Sequence, residues 1–221
     1  MIAGYQHFLR LASRIQWDAE AIDLRVDVAN WPHVADARVT ELVAGFVVGE
    51  AGVAEHLRPF LVADGAEATF AAQRADEERH ARFFARYAQA VGLHDPRAHV
   101  SDAFVEIFER RLPEAAGRAG VEAVGLYHMV LEGVVFTAGQ YALLETLDER
   151  LPGLKQGMEL VLRDEKWHVG FGTRCLADAG LTDAQVAAIL DEGERAAALW
   201  APEQAERVTR TLNRRLAAVH G

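Results

Sequence analysis

Only one cysteine, Cys175, occurs in the 221 residues. That excludes an internal disulfide framework and a cysteine-rich zinc site. Positive charge is also scarce: 23 Lys and Arg stand against 33 Asp and Glu, a formal net charge of −10. Nucleic-acid binding needs clustered Lys and Arg for phosphate contacts, so that class is set aside. Long uninterrupted apolar runs are missing too. The most apolar stretches, 42–49 and 129–144, are short or broken by Glu132, and neither is expected to span a membrane. The first sixteen residues show no basic start followed by an apolar core, so no signal peptide is expected. A soluble, reducing, cytoplasmic setting is the default expectation.

What is present points to one folded domain. Hydrophobic residues make up 51% and charged residues 25%, which excludes a disordered chain. Strand-type alternation is nearly absent, and helix-type periodicity dominates. The chain has six prolines, and Pro32, Pro96, Pro113 and Pro152 sit where helices should start or stop. The pattern predicts long helices over 36–63, 65–92, 119–149 and 153–179. A further helix is expected over about 100–117, with helical material from 183 to near the end. Long helices joined by short turns make an all-α bundle. We read 1–35 as an irregular N-terminal arm, 36–180 as the bundle and 181–221 as a C-terminal helical segment, all within a single domain.

The informative residues appear inside the apolar stripes. One helix presents Val43, Phe46, Glu50, Val53, Leu57 and Phe60 at alternating spacings of three and four. The next presents Phe70, Gln73, Glu77, His80, Phe84, Tyr87 and Val91. The last long helix presents Leu154, Met158, Val161, Glu165, His168, Gly172 and Cys175. Such spacing marks the seam by which helices pack. A carboxylate, and often a histidine, occupies mid-seam positions where Leu or Val belongs. The helix around Glu132 is apolar nearly all round, so Glu132 is expected to be buried. A buried carboxylate without a partner becomes neutral or costs several kcal/mol. No Lys or Arg lies on the stripe beside Glu50 or Glu132, and a metal cation is the economical partner.

In chain order the polar residues read Glu50, Glu77-x-x-His80, Glu132, Glu165-x-x-His168. Residues three apart share a helix face, so each Glu-x-x-His pair can aim both side chains at one point. Two such pairs, with one Glu from each of two other helices, form the ligand set of ferritin-like di-metal carboxylate proteins. One Glu-x-x-His alone is common on solvated helices; two, each preceded by a Glu in an apolar segment, are specific. Four carboxylates and two imidazoles suit iron or manganese and lack the thiolates that favour softer sites. Such a centre points to oxygen activation. Asp164 is placed to orient a ligand histidine. His128, four residues before Glu132, is read as packed or as supporting the site, and Cys175 as a small buried hydrophobe.

At these residues the chain resembles the small subunit of ribonucleotide reductase, and more closely the ribonucleotide-reductase-like ligand-binding oxidases. The resemblance covers about 17–179. It runs through Trp17-Asp18, Gly49-Glu50 with Val53, Pro59-Phe60, Glu77-x-x-His80, Leu112-Pro113, Tyr127 with Glu132-Gly133, and Asp164-Glu165-x-x-His168 with Gly172-Thr173. It implies a manganese–iron or iron–iron centre using dioxygen, a bound long-chain fatty acid, and a homodimer. It also implies a covalent link between Val53 and Tyr127. Five residues on an ideal helix place Tyr127 well round from Glu132, so that link requires a local bulge. Trp17 and Asp164 match the reductase's radical-transfer pair. Phe84 stands where a reductase carries its radical tyrosine, and no Tyr follows Tyr141. Gln140 stands where a relative has a tyrosine. The leading expectation is an oxidase; a reductase subunit lacking the radical tyrosine, an iron store and a non-catalytic metal-binding protein are the rivals.

Overall fold

The apolar seams find their partners in an all-helical architecture. It is given by a computed structural model that describes residues 2–60, 65–147 and 149–220. Among the described residues nine helices follow in order: α1 Tyr5–Arg14, α2 Arg25–Val34, α3 Ala37–His56, α4 Glu67–Val91, α5 102–118, α6 Gly120–Thr146, α7 Pro152–Ala179, α8 Asp183–Trp200 and α9 Ala205–His220. Among the described residues there is no strand. Helices α3, α4, α6 and α7 form the central bundle, and their facing seams make one continuous core.

Local chemistry sets the helix ends. Asp36 caps α3 by accepting from the Val39 N–H at 2.8 Å. The helix stops at His56, short of the expected 63, because Pro59 biases the residue before it toward extended backbone. Residues 61–64 lie outside the described residues. Helix α4 ends at Gly92, whose φ of +79° is the left-handed conformation that a C-terminal glycine supplies. Helix α8 starts with a reciprocal Thr182–Gln185 capping box.

One expectation needs correction. The 1–35 segment is not irregular: it holds α1 and α2, each of ten residues. Both are short and Pro32 interrupts the second, which hid them from a reading for long helices. Anchoring explains why they form. The buried Asp27 carboxylate accepts from the Gly153 and Leu154 N–H groups at 2.9 and 2.7 Å, so it caps α7 from a distant point in the chain. The Tyr87 hydroxyl donates to the same carboxylate at 3.2 Å.

By length and composition α6 is apolar enough to cross a membrane, yet 78% of its most apolar window is buried among the other helices. Its outer side is covered by α8 and α9, through residues such as Ile189 and Leu212. Trp200 at the end of α8 reaches α3 and lies where a side chain on Gly45 would stand, so this glycine is required for the close approach. Helices α8 and α9 are therefore the outer wall of the most buried helix.

Helices α5 and α6 are not regular throughout. Residues Ile107–Arg111 and Gly125–Phe136 are π-helical. Such stretches are rare, occur mostly as single turns, and concentrate at functional sites. In a π-helix, bonded i→i+5, residues five apart lie nearer one face than in an α-helix, and Tyr127 and Glu132 are five apart within the longer stretch. A local departure from α-helical geometry therefore lies between Tyr127 and Glu132.

Candidate metal centre

Six polar side chains meet where the four central helices face one another. Glu50 comes from α3, Glu77 and His80 from α4, Glu132 from α6, and Glu165 and His168 from α7; all are at most 1% exposed. They fall into two clusters. Glu50, Glu77, His80 and Glu165 bring ligand atoms within 4.8 Å of one another, and so do Glu77, Glu132, Glu165 and His168. Glu77 and Glu165 belong to both clusters.

The imidazoles show how the clusters are aimed. His80 Nδ1 stands 3.4–3.6 Å from oxygens of Glu165, Glu50 and Glu77. His168 Nδ1 stands 3.1–3.7 Å from oxygens of Glu77, Glu165 and Glu132. Neither nitrogen makes a hydrogen bond, and neither do both oxygens of Glu50, both of Glu165, Glu77 Oε2 or Glu132 Oε2. Buried polar atoms are normally satisfied. Eight convergent ones without partners fit a pair of cations held by hard oxygen and imidazole donors.

Behind each histidine stands an aspartate from the opposite helix. Asp164 Oδ2 lies 3.3 Å from His80 Nε2, and Asp76 Oδ2 lies 3.4 Å from His168 Nε2. Trp17 donates to Asp164 at 2.6 Å, and Trp167 donates to Asp76 at 3.2 Å. The two halves thus repeat one arrangement of tryptophan, aspartate and histidine, which fixes ring orientation. Trp17 and Asp164 were expected here. Asp76 and Trp167 were not, although the repeat of Asp-Glu-x-x-His at 76–80 and 164–168 carried the signal.

Arg79 ties the two aspartates together, 2.5 Å from Asp76 and 3.1 Å from Asp164, with its guanidinium 5.1 Å from the Trp17 ring centre. Burial would raise both carboxyls, but the facing His168 and Arg79 outweigh it for Asp76. For Asp164, His80 and Trp17 outweigh it and hold the group at about 2. Both are therefore anions with one shared cation. Arg79→Met is expected to lower stability by about 3–5 kcal/mol, because it strands buried charge. Urea unfolding of the metal-free protein at pH 7 measures this, and a loss below 1 kcal/mol would contradict the pairing.

Without a cation, the cluster balances its own charge with protons. Burial pushes Glu50 up to about 8 and Glu132 well above the carboxylate range. Burial also opposes charge on Glu77, but His168 and His80 hold that carboxyl well below its ordinary value. For the same reason the surrounding carboxylates keep His80 and His168 well above the ordinary imidazole value, against the effect of burial. His128 is the contrast: burial and the neighbouring His168 push it down to about 3, so it is neutral.

Tyr127 and Val53 are both fully buried. The Tyr127 hydroxyl makes no hydrogen bond, and burial together with Glu77, Glu132 and Glu165 raises it well above the ordinary phenol range. Phe84 stacks on Phe46, with ring centres 5.1 Å apart. Gln140 is fully buried with neither amide atom bonded. Cys175 is buried and free, and burial pushes its thiol up to about 12.

Comparison with known proteins agrees with this geometry. An R2-like ligand-binding oxidase variant with anaerobically reconstituted Mn/Fe cofactor has a TM-score of 0.80, with 23% identity over 99% of this chain and 94% of its own. A second variant, aerobically reconstituted with Mn/Fe, has a TM-score of 0.71 with 26% identity over 98% and 79%. The fold is that of the R2-like ligand-binding oxidases. No protein-family model matches the chain. Within this R2-like fold, α8 and α9 complete the structural match that the resemblance at 17–179 began, because alignments span nearly the whole chain.

Proposed function

We infer that the protein is an oxygen-activating oxidase with a dinuclear manganese–iron or iron–iron centre. Glu50, Glu77, His80, Glu132, Glu165 and His168 would hold its metals, Glu77 and Glu165 being members of both clusters. The observation that carries this reading is the pair of buried clusters with eight unpartnered donor atoms. The Mn/Fe cofactors of proteins with the same fold support it. A metal pair held there supplies the reduction of dioxygen. The chain's own residues do the rest. Asp76 and Asp164 hold the histidine rings, and the Phe46, Phe84, Phe108 and Phe136 cluster keeps water from one side of the site.

The substrate in this reading is an apolar acid such as a long-chain fatty acid, or the protein itself through Val53 and Tyr127. We extend the proposal to a homodimer, on the resemblance alone, and to a cytoplasmic setting as the default for a chain with one cysteine. The test is metal content and intact mass before and after reduced, metal-loaded protein meets air. Two metals per chain are expected, and apoprotein that refuses two under every condition would sink the reading. If Val53 and Tyr127 join, the mass falls by two hydrogens, with their electrons passing to dioxygen. Val53→Ala and Tyr127→Phe should each leave the mass unchanged, and a mass loss surviving either change would exclude this pair.

A reductase small subunit is the second reading. The unbroken Trp17–Asp164–His80 line favours it, and Phe84 weighs against it. Ribonucleotide reduction on mixing with a large subunit would decide for it.

A further inference from the structure

We propose that Gln73 and His128 form a latch that fixes which oxygen of Glu132 is offered to a metal, making the two halves of the centre chemically unequal. The proposal rests on Glu132 being a metal ligand. Gln73 is fully buried on α4, one turn before Glu77. Its Nε2 donates to Glu132 Oε1 at 2.7 Å and to Glu77 Oε1 at 3.3 Å. Its own Oε1 lies 3.1 Å from His128 Nε2.

A primary amide has two N–H donors and one carbonyl acceptor. The two carboxylates take both donors, so the carbonyl faces His128 and His128 presents Nε2–H. The flipped amide would set its carbonyl against an oxygen of the charged Glu77 carboxylate at 3.3 Å, acceptor against acceptor, so the orientation follows from the network. His128 is held in turn by the rings of Phe70 and Phe171, at 6.1 and 5.7 Å between centres. Gly172 lets α7 pass directly over it, since a Cβ there would come 2.2 Å from His128 Cβ.

The consequence falls on Glu132. Its Oε1 is engaged by the amide, and its Oε2 has no partner. Glu50, the corresponding carboxylate of the other cluster, has neither oxygen engaged. Four residues before Glu165, where the second Glu-x-x-His helix could carry its own amide, stands buried Val161 with no side-chain donor. One cluster therefore receives a carboxylate with both oxygens free and the other receives one already tethered. Gln73 is a positioning residue, and His128 acts only through it.

The test uses cobalt(II) as the probe, loaded into metal-free full-length protein, with stoichiometry and visible spectrum as readouts. Wild type should take two cobalt ions per chain. Gln73→Leu should keep two but show weaker visible absorption per cobalt, as the freed Glu132 binds through both oxygens and raises coordination. His128→Phe should change the spectrum in the same direction, and adding it to Gln73→Leu should change nothing more. Should Gln73→Leu not fold, Gln73→Met is unbranched, of similar length, and makes the same comparison. A variant holding two cobalt ions with the wild-type spectrum overturns the latch, and a separate His128→Phe shift in the Gln73→Leu background overturns the link between the two residues. Wild type taking fewer than two cobalt ions overturns the metal reading itself, a distinguishable failure.

Discussion

Glu165→Gln is expected to weaken binding of both metals by at least about 100-fold, whereas Glu50→Gln should cost only one of them. The difference follows from which clusters each carboxylate joins. Glu165 contributes to both sets of ligand atoms, so its loss leaves each set with three protein groups and removes the one negative charge the two sets share there. Glu50 contributes to one set and leaves the other with all four. Glutamine matches glutamate in volume, so packing is preserved and the change tests charge and ligation. Metal per chain after gel filtration should read near zero for Glu165→Gln and near one for Glu50→Gln. Oxygen consumption should be lost in both, because activation needs the pair. Equal metal loss in the two variants would show that the clusters are not joined through Glu165.

The residues behind that contrast were legible in the sequence for a physical reason. A metal ligand must sit in the core, so it interrupts an apolar seam, and single-helix periodicity reveals the interruption. Glu50, Glu77, His80, Glu132, Glu165 and His168 all stand out in this way, and the structure brings all six together. The groups that hold them were harder to see. Asp76 and Arg79 look like solvated charges along α4, yet both are buried because α1, α7 and the Trp17 region close over that face. Gln73 was visible as a polar residue in the seam, but its role depends on how α4 is rotated against α6, which periodicity in one helix does not give. The same limit applies to α1 and α2, whose stability comes from distant contacts such as Asp27 with α7. The π-helical stretch was required by the Tyr127–Glu132 spacing, but its twelve-residue length was not.

The metal-free protein should be most stable near pH 5 and lose stability toward pH 8, the reverse of what metal loading produces. Glu50 is raised from 4.5 to about 8 in the folded chain, and Glu132 is raised as well. A group with a raised folded pKa contributes fully below its unfolded value, and the contribution is lost as pH rises toward the folded value. His80 and His168, raised above 6.5, add to the loss in the upper part of the same window. Glu77, Asp76 and Asp164 are lowered, so their contribution disappears only as pH falls below about 4.5, which sets the acid limit of the maximum. At this size each kcal/mol lost lowers Tm by about 2–4 °C, so melting of chelator-treated protein should fall by several degrees between pH 5 and pH 8. Metal ions need these groups deprotonated. Loading at pH 7 should displace about four protons, two from Glu50 and Glu132 and two from His80 and His168. Binding to the folded chain alone then stabilises it more as pH rises. Calorimetry of the two forms at pH 5, 6.5 and 8 should therefore show melting temperatures that diverge with pH. A metal-free protein whose Tm climbs from pH 5 to pH 8 would mean that the buried carboxylates are charged and paired without any metal, and the argument for two cations would lose its physical basis.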